Sequence, residues 1–317
     1  MLQSFPAARY RFTVRMHAPL RLPEFAGSLL RGQFGSALRQ VACMTGEKSC
    51  EACPLLSTCP YPAIFETPAP AEHAMQRFSH VPNPYVIEPP GLGARLIPAG
   101  EVLQFSMVLI GHAVKYLPLV SHALQRAVEE GLGRERARGK LESIEWQCGE
   151  GGSEPETATV WRQGDVRFLP HSASLHPASL PGGGIDRVEL RIHTPMRLQN
   201  QGRALRQHEL IPRKFIADLL RRITLLAEFH AGHANFVQDV HALVLHSEIL
   251  AHQPSLRWQD WSRYSSRQKQ EMTLGGVIGT WTLEGDLAPL YPWLWLGQWL
   301  HVGKNTTMGM GGYSLHC

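Results

Sequence analysis

The sequence has no long hydrophobic run and no recognisable secretion signal. Within its 317 residues, no apolar stretch approaches the roughly 20 residues that a membrane-spanning helix needs. The first residues, Met1 to Pro6, lack the basic and then apolar pattern of a signal peptide. These absences predict a cytoplasmic protein without a membrane partner, in which cysteines stay reduced.

The sequence also lacks the glycine motifs of common nucleotide-binding proteins. Its glycine-rich stretch at residues 303–312 contains Lys304 but no Gly-Lys-Ser/Thr after four spacers, as a P-loop requires. An apolar helix precedes these glycines and a strand follows them, which is the reverse of a dinucleotide-binding turn. We therefore expect no nucleotide cofactor. A glycine-rich backbone beside a lysine can still offer N–H groups to a phosphate; the alternative is a flexible C-terminal loop.

Composition is typical of a globular protein and shows a mild basic excess. The sequence is 44% apolar and 18% charged, with 31 Lys and Arg against 27 Asp and Glu, a net charge of +4 and a pI near 8.8. This length accommodates two domains of ordinary size. The positive charge is compatible with an anionic partner.

Four of the six cysteines fall within seventeen residues, at Cys43, Cys50, Cys53 and Cys59. The Cys-X-X-Cys pair can place two thiolates on one metal ion, and four thiolates satisfy tetrahedral zinc. We predict a structural zinc site, or a site for another soft metal, which fastens this segment without taking part in chemistry. The alternative is a set of buried or accidental cysteines.

A repeated octapeptide divides the chain into two similar halves. Residues 15–22 and 191–198 share the order Arg, apolar, His, small, Pro, apolar, Arg, Leu, and each copy follows an alternating strand and leads towards a helix. Internal similarity of this kind indicates a duplicated domain. In each half the hydrophobic patterns predict strand, helix, strand, strand, helix and strand.

These patterns predict an α+β protein with two tandem ferredoxin-like, RRM-like βαββαβ domains. We expect an N-terminal domain at 1–148 with a Cys-rich insertion at 43–60, a linker with edge strands at 149–184, and a C-terminal domain at 185–317. Glycines at 27, 32 and 35 interrupt the first helix, where each costs about 1 kcal/mol against alanine. They indicate close packing against another backbone.

Four stretches carry a resemblance to a known family: residues 27–35, residues 53–56, residues 261–268 and residues 300–311. Together with the duplicated fold and the terminal glycine-rich loop, they resemble the RAMP superfamily of CRISPR-associated proteins. Within it, the chain is most similar to the endoribonucleases that cut precursor CRISPR RNA in its repeats. The resemblance covers most of the chain.

This resemblance implies a cleavage chemistry that needs no metal or other cofactor. The 2′-hydroxyl beside the scissile phosphate attacks it and leaves 2′,3′-cyclic phosphate and 5′-hydroxyl ends. The reaction needs a base, an acid and a cation, roles that suit histidine and lysine. Many members of the family carry a histidine in or just after the first helix, but none occurs here between residues 25 and 41. We therefore expect His80, and next His73, to be catalytic, with Lys304 as the cation.

The resemblance also implies CRISPR repeat RNA as the partner, with other CRISPR effector subunits as further candidates. Basic, aromatic and glycine positions near the matching stretches and in a basic loop at residues 131–139 are the expected RNA contacts. They are Arg31, Arg39, Arg134, Arg136, Arg263, Tyr264, Arg267, Lys269, Gly303, Lys304, Gly309 and Gly311.

Two other functions remain open at this stage. The chain could be a non-catalytic RAMP subunit that binds repeat-derived RNA in a CRISPR effector complex. It could also be an unrelated protein-interaction module fastened by zinc. Affinity for structured RNA separates the first two hypotheses from the third, and RNA cleavage separates the first from the second.

Overall fold

Two antiparallel sheets and the helices that cover them form the protein. A computed structural model describes residues 4–70, 81–148, 156–177, 184–265 and 270–317. The first half contains β1 (Ala7–Met16), β2 (Leu20–Leu22), α1 (Gly27–Ala42), α2 (Pro60–Phe65), β3 (Tyr85–Glu88), β4 (Arg95–Ile97), β5 (Val102–Ile110), α3 (Leu117–Glu130), β6 (Gly139–Cys148) and β7 (Glu156–Arg162).

The second half contains β8 (Arg187–Met196), β9 (Gln199–Asn200), β10 (Arg203–Ala204), α4 (Pro212–Leu226), α5 (Val240–His246), β11 (Ala251–Ser265), β12 (Gln270–Glu284), α6 (Tyr291–Leu300) and β13 (Tyr313–His316). A 3₁₀ turn at Thr306–Met308 lies inside the glycine-rich loop.

The two main sheets share one topology. The first has the order β3-β5-β1-β6-β7 and the second β11-β12-β8-β13, and every neighbouring pair is antiparallel. In both, the first strand of the half lies inside the sheet, and the major helices follow the first and third of its core strands. This is the βαββαβ order that the sequence predicted for each half.

Strand β1 shows why the first sheet forms. Tyr10, Phe12, Val14 and Met16 are fully buried, while the arginines between them are partly exposed. The alternation places one face of the strand in the core and the other towards solvent. Phe12 lies opposite Phe105 of β5 and Ile144 of β6, and the two phenylalanine rings stack with centroids 5.3 Å apart.

Helix α6 is apolar around most of its circumference and belongs to the core. Trp293, Trp295 and Trp299 are only 5%, 7% and 5% exposed. Their burial favours a packing role over a platform for stacking bases. Across the described ranges, no helix combines the length and apolar character needed to cross a membrane.

The described part of the predicted linker completes the first sheet. Strand β7 pairs with β6 at the sheet edge, and Leu175 forms an isolated bridge with Phe5. An edge strand was predicted at this place. The proposed domain boundaries after residue 148 and before residue 185 remain a prediction.

Candidate nucleic-acid interface

A cleft of about 1360 Å³ lies among helix α1, helix α4 and the glycine-rich loop. Eight basic side chains line it against three acidic ones. We call it the basic cleft and define it by its cations: Arg31, Arg39, Lys48, Arg197, Lys214, Arg221, Arg222 and Lys304. A concave surface with this excess of positive charge attracts polyanions.

Helix α1 supplies one wall of the basic cleft because it packs directly on the glycine-rich loop. A Cβ at Gly27 would lie 1.8 Å from the carbonyl oxygen of Met308, so only glycine permits this approach. One turn further along, the Arg31 Nε donates a hydrogen bond of 3.1 Å to the Thr307 hydroxyl. The helix and the loop therefore hold each other in place.

The other helical glycines have different environments. A Cβ at Gly35 would meet the Phe65 ring at 2.1 Å, whereas a Cβ at Gly32 would meet nothing within 4 Å. Close approach to a backbone was thus confirmed at Gly27, while Gly35 makes room for an aromatic ring. The Arg31 guanidinium lies 4.4 Å from the centre of that same ring. Its position is fixed from two sides.

The glycines of the C-terminal loop pack against protein backbone. A Cβ would lie 2.4 Å from the Ile87 oxygen at Gly309 and 1.8 Å from the Val302 oxygen at Gly311. The N–H groups of these two glycines already donate to the carbonyls of Thr306 and Pro195. Neither glycine therefore offers its N–H to a phosphate in this conformation, contrary to the expected cradle. Gly303 lines the basic cleft and has a positive φ of 93°. A Cβ at this position would lie 2.6 Å from the Arg197 carbonyl oxygen.

Most cations of the basic cleft lack acidic partners within the described residues. Lys214 pairs with Asp218 at 2.7 Å. Arg197 and Arg222 instead donate to the carbonyl oxygens of Gly275 and Leu300, at 2.9 and 2.7 Å. Burial lowers the pKa of the Arg222 guanidinium to about 9. Among the described residues, the positive charge of the cleft is thus largely unneutralised.

The structure brings together some of the predicted RNA contacts and separates others. Arg31, Arg39, Gly303 and Lys304 all line the basic cleft, and the Lys304 side chain is exposed there. Arg134 and Arg136 are exposed but do not line it. The side chains of Arg263 and Tyr264 and the whole of Arg267 and Lys269 lie outside what the structure describes.

The two histidines predicted to be catalytic also lie outside the described residues. His73 and His80 belong to residues 71–80, and the flanking Ala69 and Val81 both line the basic cleft. Among the described residues, no histidine lines this cleft. Their catalytic assignment therefore remains a prediction.

Sequence reasoning missed five cations of the basic cleft: Lys48, Arg197, Lys214, Arg221 and Arg222. Arg197 belongs to the repeated octapeptide, and the Arg221-Arg222 pair sits in the predicted helix of the second half. The charge of all five, and the helical position of Lys214, Arg221 and Arg222, were visible in the sequence. Their convergence with Arg31 and Lys304 depended on how the two halves pack.

A second cleft, of about 730 Å³, contains a network that joins the two halves. We call Arg9, Glu88 and His301 the paired cluster. The Arg9 Nε lies 2.7 Å from one Glu88 oxygen, and the His301 Nε2 lies 3.3 Å from the other. The Arg9 guanidinium also lies 4.2 Å from the centre of the Trp299 ring. In the paired cluster, the positive charge of Arg9 thus lies beside the negative charge of Glu88.

The electrostatics of the paired cluster stabilise its charges. Burial alone would raise the pKa of the Glu88 carboxyl, but Arg9 and the hydrogen bond from His301 outweigh burial and hold that pKa at about 2. The His301 Nδ1 faces the Met310 oxygen at 3.1 Å. Both ring nitrogens of His301 thus face oxygen acceptors.

The four clustered cysteines are free and line one small cavity. They lie in turns between helices α1 and α2. In the described part of the chain, no group of three or more His, Cys, Asp or Glu side chains is arranged to hold a metal ion as it stands. The zinc site thus remains a prediction.

The fold has two similar α+β halves with a basic cleft between them, and comparisons with known proteins show what it resembles. A family model described as an N-terminal domain matches residues 5–173, just over half of the chain. A second, described as the CRISPR-associated endoribonuclease Cas6, matches residues 190–313. The chain belongs to the Cas6-type family of RAMP proteins.

Individual relatives are distant in sequence. An uncharacterized protein of Archaeoglobus fulgidus is 27% identical over 195 residues, which is 61% of this chain and 63% of that protein. This match therefore spans less than two thirds of the relative's length.

Solved structures share the fold across almost the whole chain. A Cas6 product complex superimposes with a TM-score of 0.58 at 15% identity, over 98% of this chain and 99% of that one. A Thermus thermophilus Cas6 gives 0.53 at 15%, over 99% of both chains. A partial Cas6-RT-Cas1–Cas2 complex gives 0.56 at 16%, over 99% of this chain and 47% of that one.

Proposed function

We propose that this chain is an endoribonuclease that cuts CRISPR repeat RNA to produce mature CRISPR RNA. The observation that carries the proposal is the basic cleft, whose eight cations face three acids in a Cas6-type fold. RNA is a polyanion, and its phosphates release counterions when they meet lysine and arginine side chains. The size and charge of the cleft suit a folded or looped RNA segment.

The chemistry we propose is attack by the 2′-hydroxyl on the adjacent phosphorus. The new bond joins the 2′-oxygen to phosphorus, and the bond to the 5′-oxygen breaks. A base removes the proton from the 2′-hydroxyl, and an acid gives a proton to the departing 5′-oxygen. The products are a 2′,3′-cyclic phosphate and a 5′-hydroxyl, without a catalytic metal.

His80 is our first choice for a proton-transfer role and His73 the second. Both histidines lie in the sequence between Ala69 and Val81, two residues that line the basic cleft. Lys304 is exposed at the same cleft and would stabilise charge on the phosphate in the transition state. Arg31, held by Thr307 and Phe65, is positioned to bind a neighbouring phosphate.

The second candidate function is a non-catalytic RAMP subunit that retains repeat-derived RNA in a CRISPR effector complex. One observation favours it: among the described residues, the basic cleft contains cations but no histidine. A structure matched above belongs to a complex named for Cas6, RT, Cas1 and Cas2. Other CRISPR proteins are therefore reasonable partners to test under either hypothesis.

The test is to incubate the protein with the repeat RNA of its own genome in EDTA. We expect one cut per repeat, with cyclic phosphate and 5′-hydroxyl ends, and no cut when the 2′-hydroxyl at the site is replaced by hydrogen. Tight binding without cleavage of the unmodified RNA would favour the non-catalytic subunit. Failure to bind structured RNA would contradict both hypotheses and favour a protein-interaction module.

A further inference from the structure

The segment Cys43–Cys59 has no hydrophobic core of its own. None of its residues is buried, and it contains turns but no helix or strand. Ordering a chain segment costs about 1–2 kcal/mol per residue in backbone entropy alone, which burial normally offsets. Small structures that bury little usually need a disulfide or a metal ion. Burial within the segment therefore contributes little to its stability.

The cysteines are the side chains that turn inward. Of the residues in the segment, only Cys43, Cys50, Cys53, Leu56 and Cys59 are half-buried, and all others are exposed. Four of these five inward positions are thiols. An apolar segment would place leucine or valine there. The pattern indicates that the thiols face a common partner.

The four thiols line one small cavity. Its volume is about 20 Å³, against the roughly 10–15 Å³ that one water molecule occupies on this measure. The Gly46 N–H donates to the Cys43 sulfur at 3.3 Å. The Thr45 hydroxyl lies 3.9 Å from that sulfur and 3.5 Å from the Cys53 sulfur. Two of the thiols thus already share one polar neighbour.

We propose that Cys43, Cys50, Cys53 and Cys59 together bind one zinc ion. Four thiolates form a closed tetrahedral site, which has a structural role and leaves no open position for catalysis. The side chains are not yet arranged around a common point, so binding requires the turns to close. None of these residues is fully buried, although Cys50 and Cys59 pack against the edge of the main core, so closure shifts the turns and leaves the buried core residues in place. Each thiol loses its proton on binding.

The proposed site has a consequence for the basic cleft. Lys48 and Cys50 line that cleft, and Arg39 donates to the backbone oxygen of Lys48 at 2.9 Å. The metal would therefore order one wall of the cleft and hold Lys48 and Arg39 near it. This consequence rests on the proposed function, whereas metal binding does not.

The test begins with metal content and needs no RNA. Protein purified under reducing conditions and loaded with zinc should retain about one zinc ion per chain after desalting. The double variant Cys50→Ser, Cys53→Ser should lose it, and the control Cys317→Ser should keep it, because Cys317 lies outside the cavity. Wild-type protein that retains no zinc, or that forms two disulfides instead, would overturn the proposal.

A second measurement covers the case in which the double variant does not fold. In the wild-type chain, a thiol reagent should label the four cysteines slowly when zinc is bound and rapidly after chelation. Equal labelling in both states would also overturn the site. If zinc binds but its removal by a chelator leaves RNA affinity unchanged, the zinc site stands and only its proposed effect on the wall of the basic cleft is wrong. The nuclease proposal is tested separately by the 2′-deoxy substrate.

Discussion

The basic cleft and the paired cluster both contain cations, but the paired cluster matches them with a carboxylate, whereas most cations of the basic cleft have no acidic partner among the described residues. Arg9 meets a carboxylate at 2.7 Å, whereas Arg31 meets a hydroxyl and Arg222 a carbonyl oxygen. A buried cation with its own carboxylate is satisfied and serves the fold. Cations that contact only neutral oxygens keep their full positive charge and can attract an anionic ligand. In our proposal the basic cleft binds RNA, whereas the paired cluster joins the two halves.

The largest expected effect is on the cleavage rate and comes from the histidine that we propose to act at the basic cleft. His80→Ala should lower the cleavage rate about 10²–10⁴-fold, the range lost with a general acid or base, with RNA affinity unchanged. Single-turnover cleavage measures the rate. His122→Ala is the control, because His122 is exposed on helix α3 and lines neither cleft.

Two results would change this assignment. If His80→Ala cuts normally and His73→Ala does not, the role moves to His73. If both variants cut at the wild-type rate, the histidine hypothesis is wrong, although the nuclease proposal stands.

The next effect is on stability and belongs to the paired cluster. Glu88→Gln leaves Arg9 and His301 without their anion and should lower the free energy of unfolding by about 2 kcal/mol at neutral pH. Cleavage by the folded variant should be nearly normal. Glu135→Gln is the matched control, because the Arg21–Glu135 pair is exposed, has an N–O distance of 3.8 Å and should contribute little.

The same pair predicts a pH dependence. The pKa of Glu88 lies near 2 in the folded protein, below its usual 4.5. The contribution of Glu88 to the free energy of unfolding is therefore complete above pH 4.5 and is lost as the pH falls towards 2. Urea unfolding at several pH values should show this decline in wild type and a weaker decline in Glu88→Gln. Parallel curves would contradict the role of the pair.

A smaller effect tests the contact between helix α1 and the glycine-rich loop. Gly27→Ala places a methyl group against the Met308 carbonyl and should lower the unfolding free energy by about 1–3 kcal/mol. Gly32→Ala has open space and should be neutral or slightly stabilising. Thermal unfolding of the two variants compares them directly. Equal midpoints would show that the contact carries little energy.

Much of the fold was predictable because it depends on local pattern. The alternation in β1 placed Tyr10 and Phe12 in the core, and the repeated octapeptide located the second half. Such patterns depend on residues that are close in the sequence, so they can be read without knowing the tertiary packing. The strand order then followed from the shared βαββαβ pattern.

The two clefts were less predictable because they depend on contacts between distant residues. Arg9 and Glu88 belong to β1 and β3, which are separated in the sheet by β5. No sequence spacing indicates that their side chains meet. Likewise, Arg221 on helix α4 joins Arg31 on helix α1 only after the two halves pack.

The glycine-rich loop shows how one pattern supports two interpretations. Its glycines predicted exposed N–H groups for phosphate, but at Gly309 and Gly311 they allow close backbone packing. The positive φ that glycine permits is common to both interpretations. Only the tertiary environment distinguishes them. Of the loop residues that line the basic cleft, Lys304 is the exposed cation.

The most direct test of the central claim compares two pairs of exposed cations for repeat-RNA affinity. Arg221→Ala with Lys304→Ala removes two charges from the basic cleft, and Arg134→Ala with Arg136→Ala removes two from outside it. We expect the first pair to weaken binding about tenfold and to reduce the salt slope by about 1–2, and the second pair to change neither. Equal losses from both pairs would contradict the claim that the basic cleft is the RNA-binding site.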